Sequence, residues 1–122
     1  MKSIWLMSAA LAAAGCANEA ATVPTTVTSA GISVDVDPAV DQITADRCNR
    51  QLSCGNIGKG MTWRDRHDCV DRTMPQTRNL VGQSCKSVDA ARLHACISDI
   101  RNQLCDQSGN VPVSCEGANL CR

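Results

Sequence analysis

The chain has 122 residues, equal numbers of basic and acidic side chains (12 and 12), two tryptophans, no tyrosine or phenylalanine, and nine cysteines. Balanced, interspersed charge gives no electrostatic reason to bind nucleic acid, and so few aromatics restrict a small chain to a thin core. The cysteines are therefore the dominant structural resource.

In chain order, Lys2 supplies an early positive charge, Ile4 to Ala14 is uncharged and apolar, and Ala13-Ala14-Gly15 are small. That is the layout of a secretory signal peptide over residues 1–15. The apolar run is well short of the roughly 20 residues a membrane-spanning helix needs. Leu11-Ala12-Ala13-Ala14-Gly15-Cys16 resembles a bacterial lipobox, in which the cysteine receives diacylglycerol before cleavage. The resemblance implies lipidation of Cys16, and Ala17 behind it implies an outer-membrane address within a bacterial cell envelope. Ordinary signal-peptide cleavage nearby, with Cys16 removed or left as a stray thiol, is the competing reading. An anchor at Cys16 also explains why the cysteine count is odd.

Residues 16–36 read as anchor and flexible tether. The stretch is rich in Ala, Thr, Ser and Val, with only Glu19 and Asp35 charged and no helical periodicity. At about 3.3 Å per residue, some 20 residues reach on the order of 60 Å.

Residues 37–122 read as a mainly α, disulfide-stapled domain of three helices. Asp37-Pro38 opens the first, Val40, Ile43, Arg47, Cys48 and Leu52 follow its spacing, and the expected span is Pro38 to Cys54. Gly55-Asn56-Ile57-Gly58-Lys59-Gly60 must be a loop, with Ile57, Lys59 and Met61 expected at its exposed tip. Thr62 and Asp65 form a capping pair for a short second helix, Trp63 to Arg72, which Pro75 terminates. Ser87 caps a third helix, in which Leu93, Cys96, Ile97, Ile100 and Leu104 make one apolar stripe ending at Cys105. Gly109, Pro112 and Gly117 make the tail to Arg122 irregular.

Cys48, Cys54, Cys69, Cys85, Cys96, Cys105, Cys115 and Cys121 occupy about one residue in nine of their segment, above the roughly 8 to 10 per cent that marks a disulfide scaffold. Eight cysteines allow 105 pairings. The expected set joins Cys54 to Cys69 across the glycine loop, ties Cys48 or Cys85 to the third helix, and lets Cys105 close the tail onto its own end. Metal binding and thioredoxin-type redox chemistry usually rest on closely spaced thiols, and no Cys-x-x-Cys occurs. No metal site and no cofactor is expected.

Asp65, His67, Asp68 and Asp71 invite an acid-base reading, but Arg64, Arg66 and Arg72 alternate with them as on a solvated helix face. His94 stands apart, and Ser84, Ser87 and Ser98 lack a nucleophile-elbow context. Gly58-Lys59 looks like the end of a phosphate-binding loop, yet Ser53 replaces its first glycine and Gly60 its metal-binding hydroxyl. No catalytic residue is assigned. The candidate recognition element is the loop Gly55, Asn56, Ile57, Gly58, Lys59 and Gly60 with Trp63, since loops held by a rigid scaffold commonly carry binding.

The ordered spacing of Cys48, Cys54-Gly55-Asn56-Ile57-Gly58-x-Gly60, Trp63, Cys69, Cys85, Val88-Asp89, Leu93-x-x-Cys96-Ile97-x-x-Ile100, Cys105, Cys115 and Leu120-Cys121 resembles a family of small bacterial lipoproteins. That family has no known function and is often labelled natural product biosynthesis lipoprotein. The resemblance covers residues 45 to 122 and carries over no catalytic residue. Two functions are expected in competition. One is a lipid-anchored interaction or structural module of the envelope, with a protein or small-molecule partner. The other is an accessory factor or enzyme in secondary-metabolite biosynthesis, which needs titratable groups converging in a pocket.

Overall fold

The computed structural model describes residues 31–122. Cys16 and the signal-peptide and most of the tether readings lie outside them. The fold is mainly helical: β1 (Ser33–Val34), α1 (Val36–Ser53), α2 (Arg66–Gly82), β2 (Val88–Asp89), α3 (Ala90–Asn102), a 3₁₀ turn (Val113–Cys115) and the one-turn α4 (Gly117–Leu120).

Helix α1 starts at Asp35, whose carbonyl accepts the first intrahelical bond from the Ala39 amide at 3.2 Å. Pro38 sits in the first turn, where a missing N–H leaves no helical bond unmade, and Asp37 complements the positive end of the helix dipole. Ala39, Val40, Ile43 and Cys48 are buried. Helix α1 packs against both α2 and α3 and so forms the centre of the bundle. Gly55, at φ +74°, turns the chain out of it.

Helix α2 runs ten residues past the expected end, straight through Pro75. Pro75 is exposed, while Cys69, Thr73, Thr77 and Val81 form a buried i, i+4, i+8, i+12 stripe against α1. Burial of that stripe, a Cys48–Cys69 bridge and the Arg47 Nη1 to Thr77 Oγ1 hydrogen bond of 3.2 Å together outweigh an interior proline's penalty of about 3 kcal/mol. Asp65 caps the helix by accepting from the Asp68 amide at 2.8 Å.

The cap of α3 is Asp89, which accepts from the Arg92 amide at 3.1 Å, rather than Ser87. Val88 and Asp89 are drawn into β2, antiparallel to β1 with Ser33 opposite Asp89 and Val34 opposite Val88. The end of the segment read as tether is thus paired to the domain. Leu93, Cys96, Ile97 and Ile100 are buried as the periodicity expects. Leu104 is not: the helix stops at Asn102, and Leu104 is 62% exposed.

The cysteine pairs are Cys48–Cys69, Cys54–Cys105, Cys85–Cys121 and Cys96–Cys115. This corrects each expected link. Cys54 reaches across to Cys105 instead of bridging the glycine loop, Cys48 fastens α1 to α2, and α3 is tied through Cys96 to the tail. Cys105 holds the loop's root, and Cys85 takes the chain's last cysteine. Helix α2 packs along α1 with Cys69 against Cys48, more than a helical turn before Cys54, so Cys69 is not available to Cys54. The tail is correspondingly more regular than expected.

Glycine at position 117 is demanded by space. A Cβ there would lie 2.6 Å from the Ser84 Cβ and 2.7 Å from the Leu80 carbonyl oxygen, where α4 crosses the end of α2. Gly117→Ala is expected to destabilise the domain by about 1–3 kcal/mol in urea unfolding, the usual scale of overpacking.

Candidate functional site

The loop between α1 and α2 is tightly specified. Gly55, Gly58 and Gly60 have φ of +74°, +148° and +80° and are the only positive-φ residues among those described. No atom lies within 4 Å of a Cβ placed on Gly55 or Gly60, so backbone conformation rather than crowding requires glycine there. Gly58 N donates to Trp63 O at 2.8 Å and Trp63 N to Asn56 O at 3.2 Å, closing the loop on itself.

A polar clasp fixes its root. Asn56 Nδ2 donates to Gln51 Oε1 at 2.7 Å, Gln51 Nε2 to the Ser108 carbonyl at 2.6 Å, and Ser108 Oγ to the Cys105 carbonyl at 2.9 Å. Gln51 and Ser108 are buried, so these bonds satisfy groups that would otherwise be stranded. The Cys54–Cys105 bridge lies beside them. Trp63 is partly buried under Arg72, whose guanidinium sits 5.1 Å from its ring centroid, and its Nε1 is shut from solvent with no acceptor among the described residues. Lys59, Gly60 and Met61 are exposed, Met61 at 57%. Ile57, expected at the exposed tip, is partly buried, and its backbone bridges to Trp63.

Ion pairs line the start of α2: His67 and Asp71 are exposed, while the Asp68 side chain, between the exposed Arg64 and Arg72, is only 12% exposed. His67 Nε2 lies 3.1 Å from Asp71 Oδ2, and Asp68 stands 3.7 and 3.8 Å from Arg64 and Arg72. Such pairs contribute about 0–1 kcal/mol each. His94 is exposed on α3.

A shallow groove of about 350 Å³ lies elsewhere, lined by Asp46, Asn49, Arg50 and Ser53 of α1 and Arg101 of α3. Neither histidine lines it. Arg101 Nε donates to Asp46 Oδ1 at 2.7 Å, and this bond raises the guanidinium's already high pKa. Arg50 Nη2 donates to the Gln103 carbonyl at the end of α3, and Arg66 Nε to Asn49 Oδ1 at 3.1 Å. Sequence reading missed this groove. Its α1 residues recur every three or four positions, a spacing that puts them on one helix face, but only the docking of α3 adds Arg101.

Among the described residues, no group of three or more His, Cys, Asp or Glu side chains is placed to hold a metal ion. None of the described helices is long and apolar enough to cross a membrane. Residues 48–122 match the model of a family described as a family of unknown function (DUF6184). Neither curated proteins nor solved structures yield a match.

Proposed function

Given that this chain belongs to the DUF6184 family, we propose that it is a lipid-anchored, disulfide-framed interaction module of a bacterial cell envelope, attached through Cys16 and docking a protein or small-molecule partner on its 55–63 loop. The observation that carries this reading is the loop itself. Three left-handed glycines, the Asn56–Gln51–Ser108 clasp and the Cys54–Cys105 bridge hold it in one shape, yet Met61 and Lys59 remain open to solvent. A preorganised loop loses little entropy on binding, and an exposed methionine adapts to an apolar partner surface. Pairing of the eight domain cysteines with one another leaves Cys16 over, which suits a lipidated thiol. The outer membrane is the address this reading favours, and the disulfides suit an oxidising, extracytoplasmic setting.

Two comparisons test it. Cys16→Ser is expected to move the chain from the membrane to the soluble fraction, and retention at the membrane contradicts the anchor. A photoreactive residue at position 61 is expected to give one discrete cross-linked species in intact cells, while the same residue at exposed position 76 on α2 gives none. Equal cross-linking at both, or none at 61, contradicts a docking role for the loop.

A further inference from the structure

The groove between α1 and the end of α3 holds more hydrogen-bond donors than the fold consumes. Arg50 lines the groove with Nη2 taken by the Gln103 carbonyl and Nε shut from solvent, which leaves Nη1, without an acceptor among the described residues, as its donor toward the groove. Arg101 engages Asp46 through Nε, and its side chain is 65% exposed, so its outer nitrogens face open water. Asn49 accepts from Arg66 through Oδ1, which leaves its amide NH₂ to donate.

The local charge is positive on balance. Among the residues that line the groove, Arg50 and Arg101 stand against one carboxylate, that of Asp46, so the lining is net positive. Arg50 and Arg101 stand in the last turns of α1 and α3. Such helix ends carry partial negative charge that alone would repel an anion. The guanidiniums reverse that sign, and their planar forks match the paired oxygens of a carboxylate or phosphate.

We propose that this groove binds the carboxylate or phosphate group of a small molecule, with Arg50 and Arg101 donating to its oxygens and Asn49 flanking them. Its volume lies near the lower end of the about 300–1,000 Å³ typical of small-molecule sites, which leaves room for a short organic body beside the anionic group. Asp46 holds Arg101 in place and acts as a positioning residue. The site is separate from the 55–63 loop and does not depend on that loop docking anything.

The test is a nuclear magnetic resonance titration of the full disulfide-bonded chain with inorganic phosphate and, separately, acetate, at ionic strength held constant with chloride. Saturable shifts centred on the Arg50 and Arg101 Nε–Hε signals and the Asn49 side-chain amide are expected with at least one of the two anions. Arg101→Gln is expected to weaken that binding at least tenfold, and Arg122→Gln to leave it unchanged. Because Arg101 is exposed, its loss tests the site without removing buried packing, and Asp46→Asn/Arg101→Gln controls for the unpaired carboxylate. Shifts that rise without saturation, or that spread over Arg64 and Arg78 as well, overturn the proposal. So does unchanged affinity in Arg101→Gln.

Discussion

Replacing Cys96 and Cys115 together by alanine is expected to lower the unfolding free energy by about 3 kcal/mol from chain entropy alone, with lost packing added to that. The two cysteines are 19 residues apart, both are 0% exposed, and their bridge is the covalent link between α3 and the tail. Both sulfurs belong to the main apolar cluster, so alanine leaves a void in a core with little else to fill it. In a domain of under 100 described residues, about 3 kcal/mol corresponds to a fall of roughly 12–24 °C in melting temperature. The informative comparison is Cys54→Ala/Cys105→Ala. That loop spans 51 residues, for which chain entropy predicts about 4 kcal/mol, but Cys105 is exposed and little packing is lost. Urea unfolding of both variants separates the contributions. Losses that follow loop length show that the bridges act on the unfolded chain, and a larger loss for Cys96/Cys115 shows that burial of the sulfurs dominates.

Ile43→Ala carries the second large effect, an expected destabilisation of about 2–5 kcal/mol. Ile43 is fully buried on α1, in one cluster with Val81 of α2 and Ile97 and Ile100 of α3. No aromatic side chain belongs to that cluster, and its largest members are isoleucines and leucines. With so few large groups, neighbours have little freedom to close the cavity, which places the effect in the upper part of the range. Ile43→Val, which removes one methyl group, is expected to cost about 0.5–1.5 kcal/mol. Equal losses for the two substitutions in thermal or urea unfolding would show that Ile43 is not packed as described.

Which parts of this fold are legible in the sequence depends on whether a signal is local. Helix α3 is, because Leu93, Cys96, Ile97 and Ile100 carry their period in apolar side chains. Helix α2 is only half legible. Its buried stripe uses Thr73 and Thr77, which do not read as apolar, and Pro75 reads as a stop although it lies on the exposed face. The expected pairing of Cys69 across the glycine loop fails because its partner is set by how α2 packs along α1, which places it against Cys48 and which no local signal announces. Strand β1 is two residues in a Ser/Val stretch, and only its partner, Val88–Asp89, gives it structure. The glycines of the 55–60 loop announce an unusual backbone directly. Its root does not: Gln51, Asn56 and Ser108 meet only when the tail folds back, a contact more than 50 residues long in sequence. The Asp46–Arg101 pair is long-range for the same reason.

The nine cysteines divide, in the proposed reading, into two devices: eight structural thiols paired in one pattern, and Cys16 as the anchor. Mass mapping of the native chain, digested without reduction and with free thiols blocked beforehand, tests it most directly. The expected result is four cross-linked peptide pairs, Cys48–Cys69, Cys54–Cys105, Cys85–Cys121 and Cys96–Cys115, no blocked cysteine, and an N-terminal peptide beginning at Cys16 with a lipid mass increment. Blocked thiols among the eight, a different pairing, or Cys16 cross-linked to any of them would contradict it.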